Sequence, residues 1–323
     1  MVAVAGLLGL LAASGAWGGW LWFQHEITRP GPFEDDRVFT LALGSGTGAI
    51  AAQLETEGLV RDQRLFRAYA LYDGGAADLK AGEFRVPAQA SLQSLYALIR
   101  AGQVVDYPIT LPEGLTSAQI IRRLDAETEI LRGTVEAPPA EGALLPDTYR
   151  VTRGTERQAL VDRMVAAQDA LIAELWPKRA PDLPFETPQE AIILASIVEK
   201  ETGLAAERPL VASVFVNRLK RGMRLESDPT IIYGLTQGEP LGRGIRRSEL
   251  DRVTAYNTYH IDGLPPTPIA NPGRDAIAAV LNPPDSAYLF FVADGTGGHA
   301  FAATLREHNR NVAAWRRIER ARR

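Results

Sequence analysis

The chain has 323 residues, 46% of them hydrophobic, enough for two or three domains with a sizeable core. A net charge of −4 and a pI near 5.7 argue against a general nucleic-acid-binding surface. Cysteine is absent, which excludes disulfides, cysteine nucleophiles and cysteine metal sites. The four histidines (His25, His260, His299 and His308) are scattered, so no metal site is expected.

Residues 2–23 carry no charge and have the length of a membrane-spanning helix. Trp17, Trp20 and Trp22 stand at the end of this run, where an interfacial aromatic belt would lie. A signal peptide cut near Ser14-Gly15-Ala16 is the competing reading. It lacks a basic leader, and the apolar run is long for one. The expectation is a transmembrane helix over 1–24. Basic residues do not decide its orientation: none precedes the run, and Arg29 is the first after it.

A polar linker over 25–35 follows. Then a pattern occurs twice, with Phe39-Thr40-Leu41-Ala42-Leu43-Gly44 echoed by Ile109-Thr110-Leu111-Pro112-Glu113-Gly114. A second echo pairs Phe84-Arg85-Val86 with Tyr149-Arg150-Val151. The spacing predicts two strand–helix–helix–strand units. Leu160, Met164, Ala167, Leu171 and Leu175 mark a packed helix over about 156–178.

Thr187-Pro188-Gln189-Glu190 reads as a capping box with proline at the first helical position. The following run, Ala191 to Val198, is almost wholly apolar and then meets Glu199-Lys200-Glu201. A helix apolar on all sides is a buried one. Glu199 at its inner end would have its charged form disfavoured and could hold a proton near neutral pH, as a general acid must. A solvated helix end is the alternative reading. Ala195 and Ser196 share the face of Glu199 and would leave a hollow before it. Glu201 lies about 200° around the helix, so the two carboxylates are not a same-face pair.

A further helix is expected over Pro209–Leu219, then a turn-rich region with one buried strand, Ala287–Val292. No phosphate-binding glycine loop or Gly-x-Ser-x-Gly elbow occurs; Gly44-Ser45-Gly46-Thr47-Gly48 reads as a turn. Polar and aromatic loop residues remain, among them Asn217, Asp228, Thr230, Tyr233, Tyr256, Asn257, Thr258, Tyr259 and His299. Loop hydrogen bonding is the default role for each. Tyr256-Asn257-Thr258-Tyr259 has the character of a wall that contacts sugars.

Several stretches occur in a telling order. They are Leu111-Pro112-Glu113-Gly114, Leu145-Pro146-Asp147-Thr148-Tyr149, Ala195-Ser196-Ile197-Val198-Glu199-Lys200-Glu201-Thr202, Val211 to Leu219, Ser227-Asp228-Pro229-Thr230, Tyr256-Asn257-Thr258-Tyr259, Gly263-Leu264-Pro265-Pro266 and Phe291-Val292-Ala293-Asp294-Gly295. Together they resemble the endolytic murein transglycosylase, or YceG-like, family over nearly all of the chain after residue 24. The resemblance implies an α+β protein: a transmembrane helix, a LysM-like βααβ module over 36–107 and a mixed α+β catalytic domain over 108–323. It implies a single-pass inner-membrane protein with its C-terminal part in the periplasm. Peptidoglycan glycan strands would be the substrate, cell-wall synthases the protein partners, and no cofactor would be needed.

The resemblance also puts the catalytic carboxyl on Glu199, as general acid and then base. The bond cut joins N-acetylmuramic acid to N-acetylglucosamine and leaves 1,6-anhydro ends. Glu201, Asn217, Asp228, Tyr256 and Asn257 are expected to support the site or touch substrate. The alternatives are a non-catalytic, membrane-anchored peptidoglycan-binding scaffold and a hydrolytic muramidase. The muramidase would require a second carboxylate to activate water.

Overall fold

The computed structural model describes Val2–Arg322, with the side chains of residues 2–6 and 9 left aside; the ends of the expected segments at 1 and 323 lie outside the described residues. The chain divides into two units. The first runs up to Tyr107 and includes Arg150–Gly154; the second comprises Pro108–Tyr149 and the chain from Thr155 onward.

The first unit opens with α1 (Val2–Thr28), followed by β1 (Arg37–Leu41), α2 (Thr47–Thr56), α3 (Gln63–Asp73), β2 (Gly82–Val86) and α4 (Leu92–Ala101). The expected strand–helix–helix–strand order is present in β1 to β2. The two strands pair antiparallel, with Phe39 opposite Phe84 and their rings stacked 5.5 Å apart. Period-two alternation turns Phe39, Leu41, Phe84 and Val86 inward, where α2, α3 and α4 add Leu54, Phe66 and Leu95. Helix ends are closed locally. Asp62 and Ser91 cap α3 and α4, and Gly74 and Gly102 end them in the left-handed conformation.

The expected membrane span is not borne out. Among the described residues no helix is long and apolar enough to cross a membrane. Beyond Leu10, α1 is diluted by Ser14, Gly15, Gly18 and Gly19, and its last turns carry Gln24, His25 and Glu26. Those turns also belong to the first unit: Ile27 is 1% exposed in its core, with Phe23 packed beside it. The transmembrane helix and the single-pass, inner-membrane placement with a periplasmic C-terminal part are withdrawn with it. Ile27 and Phe33, inside the segment expected as linker, are core residues.

The second unit begins in β3 (Tyr107–Thr110), which starts within the first, and continues through α5 (Ser117–Ala126), β4 (Leu131–Arg132), β5 (Thr148–Val151, whose last two residues belong to the first unit), β6 (Thr155–Glu156) and α6 (Arg157–Leu175). β3 pairs with β5, and β4 runs parallel to β6. The second strand–helix–helix–strand repeat is therefore incomplete. A single helix, α5, is followed by β4 and a loop that contains Pro138 and Pro139, where a second helix cannot propagate.

The remaining elements are α7 (Pro188–Glu201), α8 (Arg208–Lys220), α9 (Asp228–Thr236), α10 (Arg247–Leu250), α11 (Arg274–Leu281), β7 (Phe290–Ala293), β8 (His299–Ala302) and α12 (Leu305–Ala321). α7 starts with the expected capping box and is buried at eight consecutive positions, Ala191 to Val198. It sits against α8 and α11 in one core with Leu171, Phe185, Val211, Phe215, Ile277 and Val280. The strand expected over 287–292 is shorter and later. β7 starts at Phe290, is only half-buried, and forms an antiparallel pair with β8. The mixed α+β class is as expected. Leu194 is fully buried, so Leu194→Ala should cost about 3 kcal/mol. Loss of the Thr187 cap in Thr187→Ala should cost about 1 kcal/mol. Urea unfolding of both variants reads the two values and their order.

Candidate active site

The buried helix α7 delivers two carboxylates from its last turn into different surroundings. Glu199 is sealed, with its side chain 4% exposed. One oxygen accepts from the Arg208 guanidinium at 3.2 Å, the other from the Gly273 backbone N–H at 3.0 Å. The hollow expected before it is filled by the 269–273 backbone, since Ser196 Oγ takes the Ile269 N–H at 3.0 Å. Arg208 also reaches Glu113 at 2.8 Å and Asp275 at 3.4 Å, so one cation serves three carboxylates. Gly273 is needed for closeness: a Cβ there would fall on the Glu113 carboxylate. Burial pushes the Glu199 carboxyl above its ordinary value, helped by the charges of Glu113 and Asp275 and opposed by the Gly273 bond and Arg208.

Glu201 faces the opposite way. Ser227 Oγ donates a short hydrogen bond to its Oε1, while Oε2 has no hydrogen-bond partner among the described residues. It lines a pocket of about 340 Å³ together with Asp228, Tyr259, Arg218, Glu226 and Phe291. Burial raises its carboxyl to about 7; the nearby charge of Asp228 adds to this, and the Ser227 bond, His299 and Arg218 oppose it. A carboxyl poised near 7 with a free oxygen facing a pocket can give and retake a proton.

The partners of Glu201 are placed by hydroxyls. Thr258 Oγ1 accepts the Ser227 N–H at 2.9 Å and lies 2.9 Å from Thr230 Oγ1, and both threonines are fully buried. Tyr259 donates to Asp228 Oδ1 at 2.9 Å, which aims that carboxylate. The charge of Asp228, with burial the larger cause, drives the Tyr259 phenol well above its ordinary value. Arg218 closes the floor. It donates to the carbonyls of Leu225 and Leu289 and pairs with Glu226 at 2.9 Å.

Of the residues singled out from sequence, Glu201, Asp228 and Tyr259 line one pocket. Asn217 donates instead to the carbonyls of Ser286 and Tyr288, at 2.8 and 3.0 Å. Asn257, 1% exposed, donates to those of Leu250 and Arg252. The Tyr256 hydroxyl meets Thr267 at 2.7 Å, and its ring packs on Tyr233. These three do not line the pocket that holds Glu201.

Residues 39–314 match the model of the YceG-like family. The chain belongs to the YceG-like family. A Streptococcus pneumoniae protein named endolytic murein transglycosylase is 31% identical over 95% of this chain and 63% of its own length. A Bacillus subtilis protein of the same name is 29% identical over 86% of each chain. The chain thus spans a little under two thirds of the pneumococcal relative. The solved structure of a YceG-like protein from Listeria monocytogenes is 28% identical, with a TM-score of 0.53 over 85% of this chain and 98% of that one.

In this YceG-like chain, sequence reasoning missed three residues that shape the site. Ser227 stood inside a quoted motif without a role. Arg208 had one available signal, a charged residue just before the apolar run Pro209–Val216. Glu207 pairs with His299, accepting from its backbone N–H at 2.8 Å and meeting Nδ1 at 2.7 Å, and so ties the start of β8 to α8.

The raised Glu201 carboxyl has a measurable consequence. The unfolded chain gives up this proton near 4.5 and the folded chain near 7. Between those values the folded state holds a proton that the unfolded state lacks. The stability this group contributes is complete below 4.5 and falls as pH rises toward 7. Glu201→Gln abolishes that titration. The unfolding midpoint of the variant should gain on that of the parent across this window and then stay level.

Proposed function

We propose that this chain cuts murein glycan strands as a lytic transglycosylase, with Glu201 as the acid. The observation that carries the reading is the Glu201 carboxyl: recessed, raised to about 7, and with one oxygen unbonded in a pocket beside Asp228. Relatives of similar sequence named endolytic murein transglycosylase support the substrate class.

Protonated Glu201 would donate to the oxygen joining N-acetylmuramic acid to N-acetylglucosamine as that bond breaks. Charge then develops on the muramic C1 as an oxocarbenium-like centre, which the carboxylate of Asp228, aimed by Tyr259, would stabilise. The Glu201 carboxylate would next accept the proton of the muramic C6 hydroxyl while that oxygen closes on C1. The products are a 1,6-anhydro end and a free 4-hydroxyl; no water enters, and Glu201 ends as it began. The sequence expectation placed the proton on Glu199. Both oxygens of Glu199 are bonded and its side chain is sealed, which suits a positioning role better.

A hydrolytic reading is favoured by one observation, the second carboxylate in the same pocket. Asp228 beside Glu201 could activate water, leaving reducing ends. The first unit, with its βααβ order, fits a glycan-binding module of the LysM type. It would hold the strand while the second unit cuts.

Uncrosslinked glycan strands digested with the chain and read by mass spectrometry should yield anhydro-muramic ends. Glu201→Gln should lower their formation at least about a hundredfold, the scale of a lost general acid. Glu199→Gln should cut more slowly than the parent but measurably, with reduced thermal stability. A reversed order of loss would return the acid role to Glu199. Reducing ends would make the chain a muramidase, and strands bound but uncut would make it a scaffold.

A further inference from the structure

Two pockets are each lined from both the last turn of α7 and the first turn of α9. Glu201 and Asp228 line one of them; their chain neighbours Lys200 and Pro229 line the other. Successive helical residues point about 100° apart, so the two pockets take side chains from adjacent faces of α7 and α9. The second has a volume of about 370 Å³, within the range of ligand sites.

Its walls are apolar: Pro229, Ile232, Tyr233, Leu241 and Ile269. Three charged side chains reach it. Arg243 is held by Glu249 at 2.8 Å, and Glu239 is paired with Arg122. Lys200 has no carboxylate partner among the described residues. Its Nζ donates to the Gly114 carbonyl at 3.1 Å, and an ammonium keeps two further donors. The pocket is therefore built for a ligand with short apolar groups and a negative charge.

Its rim is fixed. Gln119 Nε2 donates to the Gly238 carbonyl at 3.0 Å. Gly238 has φ +90°, and a Cβ there would strike the methyl of Thr116. Glycine at that position lets the 237–243 loop lie close over α5 and keep its shape.

We propose that this pocket is a subsite for the stem peptide carried by the muramic sugar at the scissile bond. Lys200 would pair with a stem carboxylate, and the apolar walls would take the lactyl and alanyl methyls. The proposal rests on the glycan-cleavage reading above and adds that the enzyme distinguishes peptide-bearing strands from bare ones.

The test separates binding from turnover. The full chain carrying Glu201→Gln is titrated with uncrosslinked strands that keep their stems and with the same strands stripped by an amidase. Stem-bearing strands should bind about tenfold tighter, the scale of one charge-assisted hydrogen bond. Adding Lys200→Met should bring the ratio of the two affinities close to one, and Lys200→Arg should keep most of it. On the unsubstituted chain, the ratio of KM for the two strand types should show the same preference. Equal affinity for both strands, or a ratio that Lys200→Met leaves unchanged, overturns the subsite. A chain that prefers stem-bearing strands yet releases no anhydro ends upholds the subsite and removes the lytic assignment.

Discussion

The candidate site of the second unit depends on withdrawing water from the end of one helix. α7 is buried along eight successive residues, so its last turn emerges where a carboxylate is poorly solvated. Two such groups emerge there, and the surroundings treat them differently. Glu199 is met by a guanidinium and a backbone N–H, and both of its oxygens are used. Glu201 is met by one hydroxyl and keeps an oxygen open to the pocket. The same burial makes one a fixed strut and the other a group whose proton is available.

Arg208 is the counterpart to that burial. A cation 10% exposed among three carboxylates draws α7, α8, the Leu111–Gly114 turn and the start of α11 to one point. Removing Arg208 would leave the sealed Glu199 without its cation in a poorly hydrated place, where an unpaired ion is costly. The network thus holds the frame in which Glu201 points into its pocket, although it does not touch that pocket.

Local patterns were readable from the residues. The Thr187-Pro188-Glu190 box, the apolar run after it, the helix over 209–219 and the first strand–helix–helix–strand unit all rest on interactions within a few residues. Those interactions leave their mark on the chain itself. The errors came where distant segments decide. Residues 2–23 look like a span in isolation, but Ile27 shows that the helix continues into a packed core. The second repeat loses a helix to a proline-containing loop. Ala195 and Ser196 suggested a hollow, which a backbone segment more than seventy residues away fills. The roles of Glu199 and Glu201 could not be separated from spacing alone, because what separates them is Arg208, Gly273 and Ser227.

The hydroxyl cluster of Ser227, Thr230 and Thr258 has a mechanical side. Thr258 grips the Ser227 backbone, Ser227 holds Glu201, and the next residue along, Tyr259, holds Asp228. The 254–259 turn and the 226–230 turn are geared together through buried short links with little slack. A ligand that pressed on Tyr259 would turn both carboxylates at once, so filling the pocket and setting the geometry of its two acidic groups would be one movement.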